Sequence, residues 1–525
     1  MEKHEFSFLN TYHEDSESHT PLISRHTFDL IKNFLSIDVS YEFFEEYASN
    51  DASVLSQRYD LMRDMMADVE VYEHFLGTSV DLLSELCVIN EIKASAGEDI
   101  EDQLLHSKIL VSYVLWIEKS YELLIAMDKK GVLRSARMQE YFSLIRLEYE
   151  NPEFKKLAKN ARHLETSISN IKSITLGINL NPDFSVREAG IMSINEEPVK
   201  SGNLIDKILR GDLLQMAELQ ALMPLVKVPH SLKQQELIAF NQTVHQALGR
   251  VFKKSLGNWS HHISRLYTTK ASQFAHLLPE MQFLYACVLF ILRMRKIQAS
   301  VCLPQTPSPT QNICQLEGMY LPSLIDMTNA KPIANDIELY KGEIHLLYGP
   351  NHGGKTKLLQ CLLNIYTLYH LGAPLPATHA TLTPVSGIVY YSIDQKAING
   401  NAESRLLCEL QEIKRVFATL RGGEFVVCDE MFSSTQEIEG SQLAVEVIRA
   451  FRTYEVYFIY STHLHNLCES LAEKIPDVKV SHMTADQGKP TYRLKTGVGP
   501  ANSYAQRLAT ENGVSFDMLK NKNPR

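Results

Sequence analysis

Gly349-Pro-Asn-His-Gly-Gly-Lys355-Thr356 is the segment of this chain whose residue types and spacing most directly imply chemistry. It fits GxxxxGK[ST], the pattern of a phosphate-binding loop. Gly349, Gly353 and Gly354, with Pro350 and Asn351 between them, allow the backbone to turn its N–H groups onto phosphate oxygens at a helix N-terminus, where the helix dipole also favours negative charge. Lys355 is expected to reach the β and γ phosphates of a nucleotide, and the Thr356 hydroxyl to ligate Mg²⁺. A second constellation, Phe425-Val-Val-Cys-Asp429-Glu430, is an apolar strand ending in adjacent acids. Such pairs also occur in surface turns, but about 75 residues after a phosphate loop they suit Asp429 to the Mg²⁺ shell and Glu430 to polarising a water. Val456-Tyr-Phe-Ile-Tyr460 then delivers Ser461-Thr462-His463, where a histidine can donate a hydrogen bond to the γ-phosphate.

These groups require strands and helices to hold them. Ile344 to Tyr348 predicts a strand entering the loop; Leu358, Leu362, Tyr366 and Tyr369 predict a helix leaving it, with Gly372 as its stop. Downstream of residue 311, short apolar runs alternate with helical stretches, the pattern of an α/β sheet. Upstream, residues 25 to 300 are dominated by helical periodicity. The expected fold is therefore multidomain α and α/β, with the phosphate loop in the second half. Leu303-Pro-Gln-Thr-Pro-Ser-Pro-Thr-Gln311 reads as an extended linker. The expected domains are 1–300 (helical), 301–311 (linker), 312–495 (α/β) and 496–525 (C-terminal segment).

Within the first half, Phe154, Leu157, Ala161, Leu164, Ile168 and Ile171 form an apolar seam opened by Asn151-Pro152-Glu153, and Leu237, Phe240, Val244, Leu248 and Val251 form another. Packed helices of a bundle and a protruding antiparallel pair both accommodate these seams. Residues 176–229 lose the helical period and gain Gly177, Gly190, Gly202 and Gly211, so a small irregular or β-containing tip is expected there. Leu237 to Pro279 contains no acid but has Arg250, Lys253, Lys254, Arg265 and Lys270, which reads either as a nucleic-acid face or as a solvated helix face.

A length of 525 residues with 45% hydrophobic and 22% charged content excludes wholesale disorder and a single small domain. The net charge of −10 excludes a broad polycationic surface, so any grip on phosphate must be local. Eight scattered cysteines without a CxxC pair read as reduced thiols of a cytoplasmic protein. The amino terminus has no apolar leader region, and the apolar run Phe283 to Leu292 is about half a membrane span, so no membrane association is expected.

Taken together, the GPNxGGK loop, the Asp429-Glu430 strand end and Ser461-Thr-His-Leu-His465 resemble the ATPase domain of the MutS family of DNA mismatch-repair proteins, a branch of the ABC-type ATPases. The resemblance extends over residues 315 to 520. Pro332-Ile-Ala-Asn335-Asp-Ile looks like the segment beside the adenine, which makes Ile333 a base contact, and Asn351 is then the loop asparagine near the γ-phosphate. Ser404-Arg-Leu-Leu-Cys-Glu409-Leu resembles the STFMVEM signature, implying that Ser404 reaches ATP held by a partner subunit. Without the family, the same stretch is a helix start with Ser404 as cap and Leu406, Leu410 and Ile413 as core. Thr435 and Gly440 keep the DExxxxTxxxxG spacing, while Tyr492-Arg-Leu-Lys-Thr-Gly497 and Ser503-Tyr504-Ala resemble the closing segment before a helix that supports dimer contacts.

The resemblance implies ATP and Mg²⁺ as cofactors, a homodimer with composite sites and DNA, duplex or branched, as partner. An ATP-driven switch acting on a protein partner is the alternative. Two departures are visible: Phe432-Ser-Ser-Thr435 stands where the family usually has Gly-Arg-Gly-Thr, and Lys357 replaces a small hydroxyl residue. About 300 residues precede the ATPase region, which leads to the expectation of a helical core and lever without mismatch-reading and connector domains. Phe43-Phe-Glu45, superficially similar to a mismatch-reading FxE, lies in a polar helical stretch and is expected to have no such role.

Overall fold

The computed structural model describes residues 6–10, 20–96, 103–169, 172–180, 182, 186–195, 197–198, 270–271, 274–305, 312–328, 331–350, 353–392, 402–432, 435–463, 467, 471, 478–486 and 489–497. In chain order its elements are α1 (Arg25–Lys32), α2 (Tyr41–Tyr47), α3 (Ala52–Ala67), α4 (Val69–Ala96), α5 (Gln103–Lys129), α6 (Ala136–Glu150), α7 (Pro152–Ser169), β1 (Ser173–Leu180), β2 (Val186–Asn195) and α8 (Leu277–Lys296). The second half contributes β3 (Ile313–Met319), α9 (Ser323–Thr328), β4 (Asn335–Tyr340), β5 (Ile344–Tyr348), α10 (Lys355–Leu371), β6 (His379–Leu382), β7 (Ile388–Ser392) and α11 (Ala402–Thr419). β8 (Phe425–Asp429), α12 (Glu437–Thr453), β9 (Tyr457–Thr462), β10 (Lys479–Asp486) and β11 (Lys489–Thr496) complete it.

The chain divides into two compact units, one of residues 1–73, 134–137 and 283–525, the other of 74–133 and 138–282. This division falls ahead of the proline-rich Leu303–Gln311 segment. Cys302, just ahead of that segment, is bridged to Leu375, and Gln305, within it, to Thr381, so the chain is already part of the first unit there.

The first unit is built on a six-stranded sheet in the order β11-β10-β5-β9-β8-β7, parallel from β10 to β7 and antiparallel at the β10–β11 edge. Its central strands are buried along their length, Phe425–Cys428 and Tyr457–Thr462 almost completely, as expected where both faces of a parallel sheet are covered. β9 runs two residues beyond the strand expected from the sequence and takes in Ser461 and Thr462. A separate antiparallel sheet, β4-β3-β6, lies in the same unit. α10 is buried on nearly every side, consistent with its apolar composition, and ends at Gly372 as predicted. The amino-terminal segment joins this unit: Leu22 exchanges hydrogen bonds with Ser386 and Ile388 beside β7, and Arg58 of α3 donates to the carbonyl of His370 at 3.2 Å. α2 coincides with the polar stretch around Phe43, whose ring packs 5.1 Å from Phe283.

Among its described residues the second unit is mainly helical, with one β-hairpin. Tyr113 and Trp116 of α5 meet Phe274, and Tyr113 also meets Phe154 of α7, with ring centroids 5.1–6.3 Å apart. The α7 seam is realised at Phe154, Leu157 and Ala161, all buried, and Asn151 accepts the Glu153 N–H at 2.9 Å to start the helix. The helical period is lost where β1 and β2 form an antiparallel hairpin. The second seam, Leu237 to Val251, lies outside the described residues.

α8 contains Phe283–Leu292 and, at 20 residues, is long and apolar enough by length and composition to cross a membrane. Just over half of its most apolar window is buried within the protein, and Met281, Leu284, Val288 and Ile291 recur at helical spacing with at most 1% exposure, the pattern of a core helix.

Candidate nucleotide site

Three parallel strands bring the loop, the acids and the histidine together. β5, β8 and β9 end side by side, with Tyr348 opposite Thr462 and Asp429 opposite Ser461, so Gly349, Glu430 and His463 all emerge at the carboxyl edge of the sheet. This edge is where open α/β sheets bind ligands. Gly354 caps α10 with φ of +98°, and a Cβ there would lie 2.9 Å from the Tyr492 ring, so the loop needs glycine for both conformation and approach.

Lys355 is buried at the centre of this edge. Its Nζ donates to the carbonyls of Gly349 at 2.8 Å and Pro350 at 3.1 Å, and lies 3.3 Å from Glu430 Oε1. Burial lowers the lysine's pKa, and the nearby Glu430 and Asp429 carboxylates oppose that shift. Nδ1 of His463 lies 3.4 Å from the same Glu430 oxygen. Glu430 is held below the usual carboxylate range, first by its hydrogen bond to His463 and then by Lys355, against the effect of burial. Asp429 is shifted upward by burial, partly offset by hydrogen bonds from Ser461 and Thr356.

Thr356 and Asp429 therefore offer a hydroxyl and a carboxylate side by side, the oxygen donors that Mg²⁺ prefers. A carboxylate whose burial disfavours its charge is also one that a bound cation would stabilise.

Beside the loop is a largely apolar cavity of about 420 Å³ whose walls include Tyr320, Ile333, Leu358, Met483 and Tyr492, with Gly354 at its phosphate-loop end. Ile333 lines this cavity. Two further residues of this wall were not singled out from the sequence. Tyr492 sits in the left-handed region, φ +57°, and Asn335 holds it there by donating to the Tyr492 carbonyl at 3.1 Å and accepting from the Leu494 N–H at 2.7 Å. Both lie in segments already conspicuous as motifs, Pro332–Ile337 and Tyr492–Gly497, but only the fold makes them neighbours. Ser461 was visible as part of Ser-Thr-His; its contact with Asp429 follows from strand register.

Ser404 is the third residue of α11 and not its cap, because the helix begins at Ala402. Ile413 is buried as expected, whereas Leu410 is 40% exposed; the buried stripe continues instead through Val416 and Leu420. Of the five candidate DNA-contacting cations, Arg250, Lys253, Lys254 and Arg265 lie outside the described residues, as does Asn351. Lys270 is described and forms an ion pair with Glu148 at 2.8 Å.

Comparison with known proteins supplies an independent view of the same segment. The family description MutS domain V matches residues 345–516. An Endonuclease MutS2 of Halothermothrix orenii is 28% identical over 198 residues, 37% of this chain and 25% of the relative. A second, from Carboxydothermus hydrogenoformans, is 27% identical over 193 residues, 36% of this chain and 25% of the relative. DNA mismatch repair protein spellchecker 1 of Drosophila melanogaster is 25% identical over 236 residues, 43% of this chain and 25% of the relative. The chain thus aligns with about a quarter of the length of each of these relatives.

Proposed function

Because the chain belongs to the MutS family, we propose that it is an ABC-type P-loop ATP hydrolase, working at composite sites of a homodimer to drive clamp-like conformational change on DNA in repair or recombination. The observation that carries this reading is the convergence of Lys355, Asp429, Glu430 and His463 at one sheet edge. The adjoining cavity, within the usual size range of small-molecule pockets, supports a nucleotide as ligand.

In this reading the base of ATP enters the cavity against Ile333 and Tyr492, and its phosphates lie along Gly349–Thr356. Loop N–H groups and the Lys355 ammonium absorb the charge that develops on the transferred phosphoryl group. Thr356 and Asp429 would hold Mg²⁺, which supplies charge neutralisation between phosphate oxygens when bound. Glu430 polarises a water for in-line attack on the γ-phosphorus; the bond to the β–γ bridging oxygen breaks, and ADP and inorganic phosphate leave. His463 orients Glu430 and donates to the γ-phosphate, and Ser404 of the partner subunit completes the site. Contacts to ATP from both subunits favour the closed dimer, and hydrolysis removes them. The lever role of the helical residues within 1–300, the dimer-support role of 496–525 and a cytoplasmic location belong to the same proposal.

A second reading, a switch acting on a protein partner with little DNA affinity, draws support from the net charge of −10 and from the pairing of Lys270 with Glu148. ATP turnover measured alone and with homoduplex, mismatched and four-way-junction DNA separates the two, with Glu430→Gln run alongside. Salt-sensitive retention of DNA by the Gln variant with ATP is the expected result. Failure to bind any of these DNAs at low salt, with turnover intact, would leave the protein-partner reading.

A further inference from the structure

α11 carries a carboxylate where its packing calls for an apolar side chain. Ile413, Val416 and Leu420 form its buried stripe, and Glu409, one turn before Ile413 on the same face, is only 3% exposed. A buried carboxylate is costly unless its oxygens are satisfied, so its partners indicate its use. One oxygen, Oε2, accepts both the backbone N–H of Phe432 and, at 3.4 Å, the hydroxyl of Tyr391.

Phe432 is two residues beyond Glu430, and the turn between them is unusual. Glu430 has φ of +52° and Phe432 φ of +58°, both in the left-handed region that a non-glycine residue enters only at a cost. Such a conformation persists only when surrounding contacts over-determine it. From β9, the Ser461 carbonyl accepts the Glu430 N–H at 3.1 Å, and the Tyr460 hydroxyl donates to the Met431 carbonyl at 3.1 Å. From α11, Glu409 takes the Phe432 N–H. The turn is therefore held from both sides, and the α11 side of the grip runs through a side chain on the helix that bears Ser404.

We propose that Glu409 is a positioning residue for Glu430. Its carboxylate clamps Phe432 in the left-handed conformation, fixes the direction in which Glu430 leaves β8, and couples α11 to the hydrolytic site. This role rests on the ATP-hydrolase reading. Loss of the clamp lets Phe432 relax toward negative φ and displaces the Glu430 carboxylate, while Lys355 keeps its bonds to the Gly349 and Pro350 carbonyls and the base cavity, which neither Glu409 nor Phe432 lines, is unchanged. Hydrolysis should then fall without a matching loss of nucleotide affinity.

The test uses the full chain and its Glu409→Gln, Glu409→Asp and Glu409→Ala variants. Gln keeps an acceptor oxygen at the same reach, Asp keeps the charge but withdraws the acceptor by one methylene, and Ala removes it. Three quantities are measured: affinity for a fluorescent ATP analogue, single-turnover phosphate release, and hydrogen exchange of the Phe432 amide. E409A and E409D are expected to keep affinity within about threefold, lose roughly tenfold or more in phosphate release, and expose the Phe432 amide to exchange. E409Q should stay within about threefold of the parent in rate and keep the amide protected. Parent-like hydrolysis in both E409A and E409D overturns the proposal, as does an amide that stays equally protected in them. A parallel fall of affinity and rate in all three variants would mark Glu409 as merely structural. A parent protein that binds the analogue but releases no phosphate would instead defeat the hydrolase reading, and the exchange measurement would still decide whether the clamp exists.

Discussion

Lys355 Nζ lies 3.3 Å from Glu430 Oε1, so the cation expected to bind phosphate and the carboxylate expected to activate water are in direct contact. Each group stabilises the charged form of the other in a buried setting. Their roles nevertheless separate on mutation. Lys355→Ala removes the buried cation from the loop and is expected to weaken ATP binding by roughly tenfold or more. Glu430→Gln keeps the shape and leaves binding near the parent value, while phosphate release falls roughly 100-fold. Nucleotide titration and a phosphate-release assay on the two variants check this; equal losses of binding in both would contradict the division of labour.

Asn335 is expected to control affinity through Tyr492. Its side chain bonds to the backbone of β11 on both sides of Arg493, which holds Tyr492 at the edge of Gly354 and of the cavity. Asn335→Ala removes both bonds and should raise the dissociation constant for a nucleotide roughly five- to tenfold, with saturated turnover little changed. Tyr492→Ala should reproduce the affinity loss. Asn335→Asp retains the acceptor for Leu494 but loses the donor to Tyr492, and should fall between the parent and Asn335→Ala. Titration with ATP and with a base-free triphosphate checks the assignment, since only the former should respond.

Gly372 ends the loop helix at φ +75°, and a Cβ there would sit 2.7 Å from both Cβ and Cδ of Arg58. Arg58 is itself buried, donating to the carbonyls of Leu9 at 2.7 Å and His370 at 3.2 Å. Gly372→Ala therefore combines left-handed strain with displacement of a buried guanidinium. A loss of about 2–4 kcal/mol in unfolding free energy is expected, measured by chemical denaturation. An unchanged midpoint would mean that the α3 contact yields freely.

Two buried histidines set an acid limit on stability. His345, in β5, is pushed down to about 4 by burial and by the charge of Lys479; His370 is pushed down to about 4 by burial, opposed by its hydrogen bond to Ser49. Since both values lie below the ordinary 6.5, the unfolded chain binds more protons between pH 6.5 and about 4. The stability associated with the neutral rings is complete above pH 6.5 and is lost progressively as pH falls toward 4. The loss approaches roughly 3 kcal/mol per histidine. Denaturation midpoints from pH 7.5 to 4.5 check this, and His345→Gln should flatten the profile over that window.

The strand–loop–helix form around the glycine pattern was legible in the chain because its requirements are local. A glycine pattern, a lysine and a hydroxyl within eight residues specify a strand–loop–helix turn that nothing distant needs to complete, and α10 starts and stops where that pattern demands. Strands ending in Asp429 and near His463 were equally readable, since continuous apolar runs mark buried parallel strands. The same local reading failed where burial depends on a distant partner. Leu410 fits a helical stripe yet faces outward, and Glu409 looks like an ordinary surface glutamate yet is buried beneath Phe432.

The sequence by itself singled out which groups have the types and spacing to handle phosphate, and its resemblance to the MutS family marked Phe432 as a departure in a segment usually rich in glycine. Only the tertiary structure decided that Phe432 still takes a left-handed conformation, that Glu409 holds it there, and that Asn335 and Tyr492 close the cavity beside Gly354. It also joined residues 1–73 to the second half of the chain, across more than 200 intervening residues. The physical reason is common to all of these. Backbone propensity and hydrophobic period act over a few residues, whereas strand order, register and the partners of buried polar groups are set by contacts between segments far apart in the chain.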